Sequence, residues 1–297
     1  MKYSKIPLFF LTAAMSTTTL TFAGDDDDEE PFDEARLFFE LNDTDGDLGI
    51  HGKIDGDEWK YLEIEDPRDR KMMHIWVRGR LRRQGLTELF FESAEPTFDE
   101  LNPIRFFKRF PEGEYDIEGY TLDGEERESE VYLSHIIPAA PDGITIAGGD
   151  GIEHDAAEDC DAELPVIDPV GGVTISWDQV NESHAAKWAG DPEKIALGKL
   201  GEVVVRSYEV VVEIDESDFK ATAIIPPGDG DRVSWSLTED FFGLSEEGEY
   251  KFEILVRTNI LDADGEIVTV EVETDGGTVA EPVPGNKSAV ESCFEVE

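Results

Sequence analysis

Short runs of alternating apolar and polar residues dominate the chain after about residue 30. In residues 173–177, the apolar side chains of Val173, Ile175 and Trp177 share one face. Successive side chains of a strand point to opposite faces, so this pattern indicates a half-buried strand. The same pattern recurs in residues 207–214, 233–237, 248–256 and 288–296. Several short strands at modest spacing predict a β-sandwich in the C-terminal part of the chain.

The N-terminal half carries a weaker version of the same signal. Residues 37–41 (LFFEL) predict a strand, and residues 58–64 and 73–77 predict a hairpin. Residues 98–110 have apolar side chains at helical spacing, which predicts a short helix. We expect an immunoglobulin-like β-sandwich over residues 32–147. The expected fold class is therefore all-β, with two sandwiches in tandem and a short helix in the first.

Three segments of the C-terminal half resemble fibronectin type III domains. Residues 171–180 (GGVTISWDQV) resemble the second strand of that family. Residues 244–258 resemble the entry to the sixth strand, with Tyr250 at the tyrosine-corner position, and residues 285–297 resemble the last strand. The resemblance implies a fibronectin type III-like domain over residues 165–297, in which the tyrosine hydroxyl bonds to upstream backbone.

A similar Gly-x-Tyr pattern precedes the N-terminal domain's last predicted strands. Pro111, Gly113 and Tyr115 parallel Glu246, Gly248 and Tyr250. An internal duplication would explain the parallel, and chance similarity is the alternative.

The ends of the predicted domains have distinct compositions. The chain opens with two lysines, an apolar stretch and a small-residue stretch, which is typical of a cleaved secretory signal. We expect residues 1–23 to be removed and the protein to be exported to the periplasm or outside the cell. The acidic run that follows predicts disorder over residues 24–31. Residues 148–164, rich in glycine, alanine and acids, predict an acidic linker.

The charge of the chain limits its partners. It has 70 Asp and Glu against 25 Lys and Arg, a formal net charge of −45. Nucleic acid and anionic membrane surfaces would be repelled, so neither is an expected partner. No later run approaches the roughly 18 apolar residues of a membrane helix, so membrane insertion is not expected. A protein or glycan ligand of unknown identity is the expected partner.

The chain has two cysteines, Cys160 and Cys293. In an exported protein an even pair predicts a disulfide, because the compartment is oxidising. Two buried free thiols are the alternative.

The most distinctive acidic cluster begins at Asn42. Asp43, Asp45 and Asp47 alternate in a glycine-containing segment, and alternate carboxylates in a turn can converge on one hard cation such as Ca²⁺. An EF-hand loop starting at Asp43 would need glycine at its sixth position and glutamate at its twelfth, where this chain has Leu48 and Ile54.

An inserted loop would restore the metal shell by closing on a later acid. The residues that would complete the shell are Asp55, Asp57 and Glu58. Ordinary Asp-Gly turn chemistry is the competing interpretation, since acidic clusters arise by chance in a chain this acidic.

Two other features point to ligands. Residues 78–83 contain four arginines, which form either a patch for anions or acidic glycans or a set of ion pairs with the acidic surface. Trp188, in the insertion at residues 181–201, is the tryptophan that we expect to be exposed and able to stack on a sugar.

No metal-ligating histidine spacing and no nucleophile motif appears in the sequence. We therefore expect a non-catalytic, exported binding or adhesion-type protein that binds Ca²⁺ through its acidic loop. One alternative is an accessory or carbohydrate-binding part of a secreted glycan-acting system. A second alternative is a secreted EF-hand calcium sensor.

Overall fold

Strands account for nearly all the regular structure in the computed structural model, which describes residues 30–157, 159–192, 194–214, 219–243, 248–261, 266–274 and 277–296. The predicted signal and most of the predicted disordered segment lie outside these residues. Within them, the helical elements are three short α-helices and one 3₁₀ turn. The all-β class is confirmed. No described helix has the length and apolar character needed to cross a bilayer.

The N-terminal half contains six strands and one helix. In chain order its elements are β1 (Glu34–Asn42), β2 (Asp47–Asp66), β3 (Arg70–Trp76), the 3₁₀ turn Leu81–Arg83, β4 (Leu86–Glu92), α1 (Pro103–Arg109), β5 (Gly113–Thr121) and β6 (Glu126–Leu133). β2 and β3 form the predicted hairpin, and α1 lies within the segment predicted to be helical. Asn102 caps α1 by accepting a 3.0 Å hydrogen bond from the Ile104 amide.

The C-terminal half contains the remaining strands and two short helices. They are β7 (Thr145–Ala147), β8 (Glu153–Asp155), β9 (Val166–Ile167), β10 (Val173–Asp178), α2 (His184–Lys187), β11 (Val205–Ile214), β12 (Lys220–Ile225), β13 (Arg232–Leu237), α3 (Glu239–Phe242), β14 (Glu249–Asn259), β15 (Thr269–Thr274), β16 (Gly277–Pro282) and β17 (Pro284–Val296). The five alternating runs of the sequence all fall on these strands.

Two sheets form a sandwich in the C-terminal half. One contains the strand order β12-β11-β14-β17, and the other contains β13-β10-β7-β8. Trp177 and Tyr208 meet edge to face between the sheets, with ring centroids 5.3 Å apart, and both are fully buried. Burying each large apolar side chain contributes on the order of 1.5–3 kcal/mol.

Both predicted tyrosine positions bond to upstream backbone. The Tyr250 hydroxyl donates to the carbonyl of Phe242 at 2.8 Å, and the Tyr115 hydroxyl donates to the carbonyl of Pro111 at 3.0 Å. Each tyrosine is buried, so the bond satisfies a hydroxyl that would otherwise be desolvated without a partner. Both contacts are structural.

The long strand β2 organises the N-terminal core because it pairs with four other strands. Its first part pairs with β1 and β4, and its second part pairs with β3 and β5. The pairing with β4 shifts register between Asp55 and Trp59, and an irregularity of this kind re-aims a strand. The buried face of β2 packs against Phe106 of α1 in one apolar cluster.

The two halves share one continuous sheet. β1 pairs in parallel with β17, with Glu40 opposite Lys287 and Asn42 opposite Ala289. The path β12-β11-β14-β17-β1-β2-β5-β6 therefore runs from one half into the other. This arrangement differs from two independent modules joined in tandem, because a long-range strand pairing cannot be inferred from local alternation.

The segment predicted as a linker takes part in the C-terminal sandwich. β7 lies before residue 148 and pairs with β10, and β8 lies inside residues 148–164 and pairs with β7. Glu153 and Asp155 of β8 are exposed. A three-residue edge strand needs few apolar side chains, so the acidic composition gives no sign of it.

A disulfide and the packing of the insertion also join parts of the chain that are distant in sequence. Cys160 and Cys293 form a disulfide, with their Cα atoms 5.4 Å apart, which confirms the predicted pair. The insertion at residues 181–201 contains α2, and Leu197 is buried in the core of the N-terminal half. The insertion therefore packs against the other half of the chain.

Candidate functional site

The acidic segment predicted to bind calcium is the turn between β1 and β2, residues 42–47, which we call the acidic turn. Asn42 organises it: its side-chain oxygen accepts from the amides of Thr44 and Asp45 at 3.1 and 3.3 Å. Its side-chain nitrogen donates to Asp45 at 3.1 Å. Gly46 has φ of +67°, a conformation that favours glycine. Strands flank the turn on both sides, so the EF-hand arrangement of two helices is not present here.

Asp43 of the acidic turn contacts the insertion. His184 Nε2 lies 2.9 Å from Asp43 Oδ1, and the amide of Leu197 donates to His184 Nδ1 at 3.1 Å. Because Nδ1 accepts, Nε2 carries the proton and donates to the carboxylate. Burial alone would raise the pKa of Asp43, but this hydrogen bond and the nearby positive groups outweigh it, so the pKa lies below its ordinary value.

Asp47 has a different environment from Asp43. Its Oδ1 atom is buried and has no hydrogen-bond partner among the described residues. Burial, followed by repulsion from Glu95, Asp45 and Glu291, raises the pKa of Asp47 to about 6. The turn therefore concentrates negative charge contributed by remote parts of the chain. The sequence did not reveal Glu95 and Glu291, since neither lies near the turn along the chain.

The other three predicted ligands lie far from the acidic turn. Asp55 is opposite Glu34 near the start of β1, and eight residues of extended strand separate it from Asp47, roughly 27 Å. Asp57 forms an ion pair with Arg127, with 2.7 Å between Asp57 Oδ2 and Arg127 Nη2. Glu58 lies against Gly85. Asp45 lies close enough to Asp47 to repel it, whereas Asp43 is hydrogen-bonded to His184. Asp55, Asp57 and Glu58 lie elsewhere. In the described part of the chain, no three acidic, His or Cys side chains form a group that could hold a metal ion.

Three aromatic side chains form a row across the outer face of the N-terminal sheet. Trp76 on β3 is directly opposite Tyr61 on β2, which is directly opposite Tyr120 on β5. The ring centroids are 4.7 Å apart for Tyr61 and Trp76, and 5.8 Å for Tyr61 and Tyr120. Trp76 is 57% exposed and Tyr120 is 37% exposed. We call these three residues the aromatic row.

Carboxylates border the aromatic row on the same face. Glu63 accepts hydrogen bonds from the Tyr61 hydroxyl and from Lys71, and these bonds, that of Lys71 first, hold its pKa below the ordinary value. Tyr120 donates to Glu126 at 2.7 Å. The row therefore presents ring faces beside fixed hydrogen-bond acceptors, the combination that orients polar ligands in binding sites.

The sequence led us to expect Trp188 to be the exposed tryptophan, and the structure differs. Trp188 is half-buried, and Lys187 and Lys194 lie over its ring at 5.1 and 5.0 Å from the centroid. Trp76 is the exposed tryptophan. The exposure of Trp76 was not predicted, because the sequence of β3 alternates like that of a strand with one face in the core. In the structure β3 lies at the surface.

The arginine-rich segment, residues 78–83, lies next to the aromatic row. It connects β3 to β4 and includes the 3₁₀ turn; we call it the basic loop. All six of its residues are exposed. No ion pair involves any of its four arginines within the described residues. The sequence interpretation in which they pair with the acidic surface is therefore not what the structure shows.

Comparison with known proteins gives no family for this chain. No protein-family description matches it, and no curated protein matches. Among solved structures, a chain from a study of host cell surface retention of a 1.5-MDa bacterial ice-binding adhesin has a TM-score of 0.24 and 9% identity, over 91% of this chain and 66% of that one. A tetra-tandem repeat from the extending region of a large adhesion protein has a TM-score of 0.16 and 11% identity, over 87% of this chain and 74% of that one. At these TM-scores the likeness carries no argument about fold or function.

Proposed function

We propose that this chain is an exported, non-catalytic binding protein of the adhesion type, and that the aromatic row is where it contacts a sugar-containing ligand. The observation that carries the proposal is the row itself. A hydrophobic ring exposed to water at 57% of its surface, such as that of Trp76, is stabilised when a ligand covers it. Glu126, which accepts from Tyr120 at one end of the row, suits the hydroxyl groups of a sugar.

Two observations support export. The disulfide between Cys160 and Cys293 is of a kind that persists in oxidising compartments and is rare in the cytosol. The N-terminal residues have the order of a secretory signal, although residues 1–23 lie outside the described structure. Cleavage can be measured directly, since mass spectrometry of the secreted or periplasmic protein would give the mass of a chain starting near Gly24.

The strand order of the C-terminal sandwich supports its assignment as a fibronectin type III-like module. Apart from two short strands, β8 beside β7 and β9 beside β17, its two sheets consist of β7, β10, β11, β12, β13, β14 and β17. In that series β10 is second, β14 sixth and β17 last, as the sequence resemblance implied. The fold hosts many unrelated functions, so this assignment identifies a scaffold and leaves the binding function to the aromatic row.

A binding screen tests the proposal. The full chain is applied to an array of glycans and glycosylated surfaces, and each positive ligand is titrated against the wild type and Trp76→Ala. We expect the variant to lose about fivefold or more in affinity, if a sugar ring on Trp76 is stabilised to a similar extent as a nucleobase on an aromatic side chain, about 1–3 kcal/mol. Phe90→Ala is the matched control, since Phe90 is also an exposed aromatic residue but lies outside the row. Equal affinity for both variants would exclude the row as the contact site.

Calcium binding at the acidic turn is a separate part of the proposal. Its support is the buried, unpartnered Oδ1 of Asp47 beside Asp45, Glu95 and Glu291, because a divalent cation relieves the repulsion among such groups. Calorimetric titration with Ca²⁺ should give heat and a higher melting temperature for the wild type. Asp47→Asn should reduce both effects, and Asp57→Asn should leave them unchanged because Asp57 lies far from the turn. Neither heat nor a change in melting temperature for the wild type would end the calcium hypothesis.

A further inference from the structure

We propose that the basic loop, together with Trp76, binds an acidic polysaccharide, that is, a glycan bearing sulfate or carboxylate groups. This inference rests on the proposed function, because Trp76 belongs to both surfaces. It adds the chemical class of the ligand and a second set of contacts. The ligand would lie along the edge of the sheet, with sugar rings against Trp76 and anionic groups against the arginines.

The first support is the availability of positive charge in an acidic protein. The chain has a formal net charge of −45, and eleven of the nineteen other arginines and lysines in the described segments lie beside carboxylates. Examples of such ion pairs are those of Arg36, Lys53, Arg70, Lys71, Arg127, Arg232, Lys251, Arg257 and Lys287. Across the described residues, Arg78, Arg80, Arg82 and Arg83 make none, so their guanidinium groups are available to an external anion.

The second support is the way in which the loop projects from the sheet. β3 and β4 both pair with β2, with β4 against its first part and β3 against its second. The basic loop leaves the sheet between them, near the register shift of β2 between Asp55 and Trp59. Gly79 and Gly85 have φ of +67° and +75°, and a Cβ at Gly85 would lie 2.7 Å from Cβ of Glu58. The loop base is therefore fixed against β2, and its side chains point away from the core.

The 3₁₀ turn sets the spacing of the arginines. The amides of Gln84 and Gly85 donate to the carbonyl of Leu81 at 2.9 and 2.8 Å, which closes the turn. Side chains three residues apart eclipse each other in a 3₁₀ helix, so Arg80 and Arg83 project on the same side. Planar guanidinium groups make paired hydrogen bonds to carboxylate and sulfate oxygens, which suits a ligand with anionic groups at intervals.

The third support is the exposed ring beside the loop. Trp76 ends β3, and Val77 separates it from Arg78; the amide of Val77 donates to the carbonyl of Lys60 at 2.9 Å and fixes the strand end. The buried side chain of Val77 anchors the junction. A ring face and a positive group at adjacent surface positions match the two components of an acidic sugar, a carbon ring and an anionic substituent.

Charge density favours a glycan over nucleic acid. Double-stranded DNA carries one charge per about 1.7 Å, so most of its charges would lie beyond the four arginines, against a protein with a formal net charge of −45. A polysaccharide with one carboxylate per sugar has sparser charge and can place single groups on the loop. At physiological salt the screening length is about 8 Å, so repulsion from the rest of the protein is weak at the loop.

Dextran sulfate, alginate and uncharged dextran are the probes that test this inference on the full chain. We expect dextran sulfate or alginate to bind and dextran of the same length to bind at least tenfold more weakly. The affinity should fall as salt rises, because each ionic contact releases counterions. Duplex DNA should not bind with comparable affinity. If it does, the loop is a general polyanion site and the glycan assignment is overturned.

Two triple variants separate a local site from net charge. Arg80→Gln/Arg82→Gln/Arg83→Gln removes three charges from the basic loop. Arg105→Gln/Lys108→Gln/Arg109→Gln removes three charges from exposed positions of α1. We expect about a tenfold or greater loss for the loop variant, and less than about twofold for the α1 variant. Equal losses would overturn the inference. Melting temperatures of both variants should match the wild type, since all six side chains are exposed.

The outcome also distinguishes this inference from the proposed function. If a ligand binds through Trp76 and the loop variant retains full affinity, the aromatic row is the site and the acidic class is wrong. If anionic glycans bind through the loop and Trp76→Ala has no effect, the loop is a site and the proposed role of the row is wrong. If none of the anionic probes binds, the inference is overturned whatever the neutral glycans do.

Discussion

His184 donates a 2.9 Å hydrogen bond from Nε2 to Oδ1 of Asp43, and this bond joins the insertion of the C-terminal half to the acidic turn of the N-terminal half. His184 is buried, and its other ring nitrogen accepts from the amide of Leu197. One imidazole therefore satisfies a carboxylate and a backbone amide at once. An aspartate singled out as a metal ligand from its sequence pattern has a structural partner.

Removing His184 should destabilise the protein. We expect His184→Ala to lower the free energy of unfolding by about 2 kcal/mol, because a hydrogen bond to a charged group is lost and the Leu197 amide loses its acceptor. His154→Ala is the control, since His154 is a partly exposed residue of the edge strand β8. Urea denaturation of both variants measures the difference, and equal stability for the two would contradict the structural role of His184.

The same pair predicts a pH dependence. The pKa of Asp43 is lowered in the folded state, so its contribution to stability is present above the unfolded pKa of about 3.9 and disappears as pH falls through the lower folded value. The destabilisation caused by Asp43→Asn should thus be present at pH 7 and shrink below about pH 4. A double-mutant cycle with His184→Ala should give a coupling of about 1 kcal/mol at pH 7; additive effects would show that the pair does not interact energetically.

Glu253 should destabilise the protein at neutral and alkaline pH. It lies directly opposite Glu291 on the shared sheet, and burial, followed by repulsion from Glu40, Glu291 and Glu209, raises its pKa to about 7. A raised carboxyl pKa means that the folded state binds the proton more tightly, so stability falls as pH rises from about 4.5 to 7. Glu253→Gln should raise the free energy of unfolding by roughly 2–3 kcal/mol at pH 8, with no gain at pH 4.

Glu249→Gln provides the comparison for Glu253→Gln. Glu249 lies on the same strand but is exposed, so its replacement should change stability by less than about 0.5 kcal/mol at either pH. A gain for Glu253→Gln that persists at pH 4 would show that packing, and not charge, is responsible.

Replacing Asp47 should stabilise the protein at high pH, as replacing Glu253 should, but by a smaller free energy. The pKa of Asp47 is raised to about 6, so Asp47→Asn should stabilise the calcium-free protein at pH 7.5 and have little effect at pH 4. Because Asp47 is partly exposed, solvent screening reduces the gain to about 1 kcal/mol. Thermal unfolding at the two pH values measures it, with the exposed Asp99→Asn as control. A lower melting temperature for Asp47→Asn at pH 7.5 would mean that its carboxylate is engaged favourably.

The disulfide should contribute more than any single side-chain contact. Cys160 and Cys293 are 133 residues apart in sequence, and a loop of that length restricts the unfolded chain by about 4–5 kcal/mol in the chain-entropy description. Cys160→Ala/Cys293→Ala should lose stability of that order in urea. The wild type should lose a similar amount in reducing agent, and the double variant should be unaffected by it. A wild type insensitive to reduction would contradict the prediction.

Local patterns predicted the C-terminal strands well because the period of a strand is fixed. Residues 207–214 alternate in sequence, and Tyr208, Val210 and Val212 are fully buried as that alternation requires. The hydrogen bond of Tyr250 to upstream backbone was implied by the resemblance to fibronectin type III domains, and the structure shows it. These features depend on residues within a few positions of each other, so the sequence contains what is needed to infer them.

The candidate sites depend on contacts that local sequence does not encode. The carboxylates around Asp47 include Glu95 and Glu291, which approach it only because β17 and the segment after β4 fold beside the turn. Asp55 was predicted to join the acidic turn, but the straight run of β2 carries it away. The exposure of Trp76 follows from tertiary placement and not from the alternation of side chains. The same holds for the lack of carboxylate partners of the basic loop within the described segments.

The parallel pairing of β1 with β17 fixes an order in which the fold can be completed. When β1 leaves the ribosome or a translocation channel, its edge is unpaired, and its partner strand β17 emerges only after all the strands between them. An unpaired strand edge can pair with another chain, so the nascent protein is exposed to misassembly until β17 has been made. The contacts that close the sheet are also among the most distant in sequence, which slows folding. A chain that stops short of β17 would leave the first half with an open edge, however well that half folds locally.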